Sequence, residues 1–506
     1  MNQKNDRLYA YLTFAVIAGF LAFRIFYIAT THYTLSQDEA YFWDWSRHPA
    51  LSYYDMGPMI AWIIAFFTHV LPLSAFSVRL GAPVFAAMTA VVLYILSVEV
   101  TASRMLAFWV VLLFHILPIG MAGGIIMTYY SPQVFFMSLT ALFLWKLITD
   151  GRPWWWYLIG LSAGLGLLSH HMFIFFTAEV GLFIILSHNN RKWLRRKEPY
   201  IGLLIELAVA SPLIIWNATH DFVMFRHAIG MMAETNNITF TLFEYIGGQA
   251  GIQAGFFFLA VVYGLAVSGY RGIKFKDDKY LFLFCLSAPV ILFIALLSIG
   301  GRTEPNWPVS GYITGSIAAV YVMYEKYKDG GRWLRVLIKT GLGLTVFLCV
   351  LVSAFAYYPV LMHDAGIHIP PQRDPTNRLY GWDELGRQVS EELAQLPPHT
   401  FVATHEYGLN AELAFYVTGH PQVYEIPVIR RLSQYDFWNN FRAVKGRDAV
   451  YVGYAPMEAP VRKLFDSVGP AEQLVIKTKH THEDRFTFYI YPCYGYKGTA
   501  KELATF

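Results

Sequence analysis

Apolar runs close to the length that crosses a roughly 30 Å hydrocarbon core recur along the first 360 residues. They predict about eleven membrane helices, at approximately 8–30, 76–98, 105–126, 131–149, 154–169, 171–187, 200–217, 245–269, 280–299, 308–324 and 335–358. The run 58–71 has only about 14 residues, which suits an interfacial or re-entrant helix. "LLSHHMF" interrupts 154–187, so that region is either one long hairpin or two short spans. After about residue 370 the period changes. Alternating runs at 400–405, 448–454, 472–478 and 485–492 predict strands, and 381–396 and 459–469 predict helices. The fold class expected is therefore a polytopic α-helical membrane protein followed by a soluble α/β domain. The membrane part is drawn at 1–369, with a first outer loop at 31–75. The soluble part is 370–506, and "PPQRDP" (370–375) is the linker.

Composition supports this division. The chain is 56% hydrophobic and only 15% charged, whereas soluble domains carry about 25% charged residues. Three cysteines, Cys285, Cys349 and Cys493, give neither a disulfide framework nor a zinc spacing. The basic and then apolar N-terminus shows no small-residue cleavage site and reads as an uncleaved first span. With the N-terminus in the cytoplasm, the inner segments hold about 17 Lys and Arg and the short outer loops about 4, the bias that cytoplasmic loops show. The net charge of +4 follows this topology and excludes a nucleic-acid footprint. The aromatic, acidic and histidine-bearing loops then gather on the outer face.

The densest of these is "LSQDEAYFWDWSRHPALSYYDMGPMIAW" (35–62). Asp38 and Glu39 lie just past the first span, where a carboxylate can act as a base or bind a cation; they read equally as solvated loop acids. Asp55 precedes a Gly-Pro turn, as a site acid, as a helix cap, or as both. "GRTEPNWPVSGY" (301–312) offers Arg302 for a phosphate and Glu304, Asn306 and Trp307 for a sugar; the plainer reading is an aromatic-belt Trp beside a paired Arg. His170 and His171 end a span, and Tyr129 and Tyr130 read as interfacial aromatics. His480 and His482 read as surface residues.

Taken in order, these segments resemble the dolichyl-phosphate-mannose–protein mannosyltransferase superfamily. The bacterial branch, which includes the aminoarabinose and galacturonosyl transferases that modify lipid A, is the most similar. The resemblance rests on "DEAYFWDWSRHPALSYYDMGPMIAW", "GLSAGLGLLSHHMF", "SPLIIWNATHDFVMFRHA", "EPNWP" and "RRLSQYDFW" (430–438), and covers nearly the whole chain. It implies a GT-C glycosyltransferase that passes a sugar, with inversion, from a polyprenyl (undecaprenyl) phosphate donor to a lipid A, glycan or protein hydroxyl. The location implied is the outer face of a bacterial inner membrane, with the C-terminal domain in the periplasm. Asp38 corresponds to the family's first-loop base and Asp55 to its second acid. Glu39, Tyr130, His170, Arg302, Glu304, Asn306 and Trp307 are the expected donor contacts. Relatives carry Lys where this chain has Met56, an acid at Tyr130 and Lys at His170, which leaves Arg302 and His170 as the expected phosphate partners. No cofactor is required by this reading, although a divalent metal fits the acids. The alternatives are a flippase for a lipid-linked glycan, marked by discontinuous helices and mid-span acids such as Glu179 and Glu206, and a non-catalytic relative.

Overall fold

The computed structural model describes residues 3–498 except 234–237, 302, 359, 368–369, 371–373, 375, 429–430 and 478–483. Arg302, His480 and His482 thus lie outside the described residues. The contacts divide the chain into two compact units. One comprises Met1–Ala29, Ala50–Ile63 and Arg79–Ser353; the other comprises Thr30–Pro49, Ile64–Val78 and Ala354–Phe506.

The first unit is a helical membrane domain. Among the described residues of the chain, six helices are long and apolar enough to cross a bilayer: Asp6–Thr30, Ala75–Thr101, Tyr130–Asp150, Phe256–Phe275, Asp278–Gly300 and Arg332–Tyr357. The apolar pair Glu198–Val209 and Ser211–Thr219 is bent by 56°, the geometry of a broken span or of a re-entrant loop. Arg104–Ile116, Trp155–Ser169 and Phe173–Leu186 are shorter apolar helices, and Gly311–Asp329 follows the 301–310 loop. Every predicted run is helical, but several are broken where one continuous span was expected. Pro118, Pro212 and Pro289 each sit in the first turn after a break, where the missing N–H is harmless. The run 245–269 is interrupted at Ala254 and Gly255, both with positive φ. Helices approach closely through small residues. A Cβ on Gly160 would meet the Gly202 carbonyl oxygen at 2.0 Å, which ties Trp155–Ser169 to Glu198–Val209. One cation is buried in the first span: Arg24 donates to the Gly120 carbonyl at 2.8 Å and shares a 3.0 Å hydrogen bond with His115 Nδ1.

The second unit is an α/β domain with one sheet. Its strands are β1 (Phe401–Thr404), β2 (Val423–Glu425), β3 (Ala449–Gly453), β4 (Phe465–Val468), β5 (Glu472–Lys477) and β6 (Asp484–Tyr496). The order is β2-β1-β3-β6-β4, with β5 also paired to β6. β1, β2 and β3 are parallel, with Val402 opposite Val423 and Val450. β6 is antiparallel to β3, β4 and β5. Four strands and the helix Trp382–Gln395 match the hydrophobic pattern. The expected helix at 459–469 is corrected: it stops at Arg462, and Phe465–Val468 joins the sheet beside β6. Phe465 there enters the core with Tyr496 and Cys493, burial that a second helical turn would not give it.

The helix Gln37–Arg47 belongs to this unit, although its partner Tyr407–Tyr416 begins 360 positions after its last residue. It is buried from Glu39 to Ser46, which explains its aromatic density. Tyr41 stacks edge-on with Tyr407 at 5.1 Å, and Trp43 with Phe415 at 4.7 Å. Tyr41 Oη accepts from the Gln434 N–H at 2.7 Å, and Tyr435 Oη donates to Asp44 at 2.9 Å.

Candidate functional site

The candidate residues fall into two groups, one in each unit. In the α/β unit, Ser36 caps the helix that carries Asp38. Its Oγ accepts from the Glu39 N–H at 3.4 Å, while Glu39 Oε2 accepts from the Ser36 N–H at 2.9 Å and its hydroxyl at 3.1 Å. Glu39 is fully buried in this reciprocal cap. Its carboxylate is engaged in starting the helix, and this differs from the donor contact expected of it. Asp38, one residue earlier, faces outward and is exposed. Tyr407 Oη lies 3.5 Å from Asp38 Oδ1. Its carboxyl is raised above the ordinary carboxylate range, first by the protein mass crowding it and then by Glu39; Arg378, Tyr407 and Arg431 pull it back down. A base with a raised affinity for protons and an open face suits abstraction from a hydroxyl.

In the membrane unit, Asp55 sits in a turn in which the Tyr53 N–H donates to the Met56 carbonyl at 3.2 Å. Gly57 brings this turn against the end of helix Trp155–Ser169, because a Cβ there would meet the Leu168 carbonyl oxygen at 2.1 Å. Asp55 Oδ1 lies 3.8 Å from His227 Nε2, and the Tyr54 ring lies 4.9 Å from the His227 ring. His170 follows Leu168 by two residues. Its ring is stacked between Tyr129 at 4.3 Å and His171 at 4.4 Å. The Met172 N–H donates to His170 Nδ1 at 3.2 Å, which leaves Nε2 to carry the proton. Burial, with His171 adding to it, holds the His170 imidazole well below its usual range. It therefore presents a neutral N–H, a hydrogen-bond donor without net charge.

Asn306 Nδ2 donates to Tyr129 Oη at 3.0 Å, so the 303–310 loop reaches the same cluster. The Gln249 amide fixes that loop through the Pro305 carbonyl at 2.9 Å. Trp307 packs on the apolar group of Met172, Tyr245, Val290 and Ile294, and Glu304 is exposed. Tyr130 does not join this cluster. It is buried and lines a small apolar pocket with Leu93, Val134, Gln253 and Tyr312. Its neighbour Tyr129 takes the place beside His170.

Sequence reasoning thus brought Asp55, His170 and Asn306 into one unit but missed the pairing of Asp55 with His227, the role of Tyr129, and Arg378 and Tyr407. "SYYDMG" and "FRH" carry no spacing that links residues 55 and 227. Arg378 and Tyr407 lie more than 300 residues beyond Asp38 in an ordinary-looking soluble domain. Among the described residues, no three His, Cys, Asp or Glu side chains are grouped to hold a metal ion.

Residues 48–216 match the family described as dolichyl-phosphate-mannose-protein mannosyltransferase. The chain is 28% identical, over 75% of its length and 76% of the relative's, to the lipid A galacturonosyltransferase RgtD of Rhizobium johnstonii. Its fold is that of ArnT from Cupriavidus metallidurans. The apo structure superposes with a TM-score of 0.62 at 11% identity, covering 94% of this chain and 97% of ArnT. The structure of ArnT bound to undecaprenyl phosphate gives 0.60 at 12% identity, covering 98% and 99%. The resemblance seen in the ordered motifs and the GT-C-like membrane architecture are both borne out. The protein is a multi-pass membrane protein with the ArnT fold.

Proposed function

We propose that this protein transfers a sugar from a polyprenyl-phosphate donor to a lipid A-type acceptor, with Asp38 as the base that deprotonates the attacking hydroxyl. The observation that carries the assignment to Asp38 is its environment: an exposed carboxylate on a capped, buried helix, crowded enough to raise its proton affinity and steadied by Tyr407 and two arginines. Attack in line with the departing lipid phosphate inverts the anomeric centre. That phosphate is a weak base, so its departure needs stabilisation of negative charge in place of a strong acid. His170 Nε2–H and the Asn306 amide are the donors we assign to it, together with Arg302. Asp55, held by His227, orients the substrates. The likeness to the lipid A galacturonosyltransferase supports lipid A as the acceptor, and the shared fold with ArnT, which binds undecaprenyl phosphate, supports a polyprenyl phosphate as the donor carrier. We place the N-terminus in the cytoplasm and the chemistry on the outer side of the inner membrane, from the distribution of Lys and Arg.

The test is transfer by the purified protein from a radiolabelled undecaprenyl-phosphate sugar to lipid A. Wild type should release undecaprenyl phosphate and label the lipid; release without labelling would remove lipid A as the acceptor. One observation favours a second reading. The span Asp278–Gly300 is broken at Leu286–Ser287, and the buried Glu179 accepts from the Val290 N–H there at 3.1 Å, a helix-break-and-acid pattern found in transporters. Movement of the lipid-linked sugar across sealed vesicles without any transfer would favour that reading.

A further inference from the structure

β2 and β3 flank β1 on opposite sides, and all three run parallel. The chain leaving β1 passes through the helix Tyr407–Tyr416 to β2, whereas the chain leaving β3 continues to the far side of the sheet. In open α/β sheets such a divergence leaves a crevice outside the carboxyl ends of the two strands, and ligands bind there. Tyr407 follows β1 and Tyr454 follows β3, so both stand at that end of the sheet. The helix Gln37–Arg47 adds its first residues to the same place. Gln37 Nε2 donates to Tyr454 Oη at 2.7 Å, and Asp38 lies beside Tyr407. Arg431 is 5.9 Å above the Tyr407 ring, and Arg378 acts electrostatically on both Asp38 and Tyr454. Both arginines and Glu406 are exposed, and Tyr407 and Tyr454 are half-buried.

The chemistry of this rim is specific. It combines two phenol rings, an amide, two guanidinium forks and two exposed carboxylates, and the buried Glu412 also acts on Tyr454. Carboxylates at least as many as the guanidiniums make a poor anion hole, and among the described residues no three His, Cys, Asp or Glu side chains are grouped to hold a metal ion. Planar faces beside paired donors and acceptors suit a ring carrying several hydroxyls, each of which both donates and accepts.

We propose that this crevice of the α/β unit is the subsite for the acceptor's saccharide, with Arg378 and Arg431 holding ring hydroxyls so that one further hydroxyl faces Asp38. The C-terminal unit then selects the acceptor. The inference rests on the reading of Asp38 as the base.

The test is binding, which needs no turnover. The full-length protein in detergent is titrated with a soluble β-1,6 glucosamine disaccharide, the sugar backbone of lipid A, and separately with undecaprenyl phosphate. Arg378→Ala and Arg431→Ala should each weaken the disaccharide at least tenfold and change undecaprenyl phosphate less than twofold. Both side chains are exposed, and an unchanged thermal midpoint confirms folding; Tyr454→Phe, which keeps the ring and removes only the hydroxyl partner of Gln37, provides a milder second variant with a smaller loss in the same direction. Unaltered disaccharide binding in both arginine variants, no disaccharide binding by wild type, or loss of undecaprenyl phosphate affinity would each overturn the proposal. The failure of the base assignment reads out elsewhere, as undiminished transfer by Asp38→Asn.

Discussion

Asp38 and Asp55 stand 17 residues apart in one aromatic stretch, yet the fold gives them opposite surroundings. Asp38 is exposed and set among two arginines and a phenol, on a helix gripped by the α/β unit. Asp55 is turned toward a histidine in the membrane unit, on a loop that a glycine presses against a helix end. The first environment leaves a carboxylate accessible and raises its affinity for a proton. The second holds a carboxylate in place. The difference teaches that neighbouring acids in a sequence need not share a role, because the elements that surround them come from distant parts of the chain.

Substitutions can break this contrast. The largest effect is expected at Asp38. Asp38→Asn removes the base and should lower the transfer rate by roughly 10²–10⁴ with little change in donor affinity, measured as the rate of undecaprenyl phosphate release. Asp55→Asn should lower kcat by about 10–100-fold through misplacement, and His227→Ala should reproduce most of that loss, whereas it would leave the Asp38 pH profile in place. Gly57→Ala forces a Cβ onto the Leu168 carbonyl oxygen. It should destabilise the membrane unit by about 1–3 kcal/mol, read as a lower thermal midpoint.

The pH dependence sharpens the comparison. The Asp38 carboxyl is raised, and the base must be deprotonated to act, so transfer should fall as pH drops through that raised value. Arg378 and Tyr407 lower it, so Arg378→Ala or Tyr407→Phe should move the acid limb of the rate profile to higher pH. His227→Ala should not move it. The smallest effect is expected from Ser36→Ala, which removes the cap on the helix carrying Asp38 at a cost of about 1 kcal/mol.

Much of the architecture is legible in the sequence because hydrophobic period reports directly on burial. The membrane helices, four of the six strands and the helix 382–395 all follow from it. What period cannot report is where a helix breaks. Pro118, Pro212 and Pro289 break theirs in segments that remain apolar throughout, so the runs look continuous. Short strands are also hidden. Val423–Glu425 has only three residues, and "FDSV" follows a helical turn without a punctuating glycine. The candidate site is legible in part for a different reason. Asp38, Asp55, His170 and Asn306 announce themselves as polar groups in apolar surroundings. Glu39 does so too, but Ser36 three residues before it is the signature of a capping box, and that local chemistry accounts for its carboxylate. Arg378 and Tyr407 have no such contrast, since polar residues are ordinary in a soluble domain. Only the fold brings them to Asp38.

The most direct test compares wild type and Asp38→Asn in a single turnover from a radiolabelled undecaprenyl-phosphate sugar, with lipid A present and protein in excess. Wild type should release undecaprenyl phosphate and label the acceptor, and Asp38→Asn should bind the donor but release it at least a hundredfold more slowly. Equal release by the two proteins would contradict the assignment of Asp38 as the base.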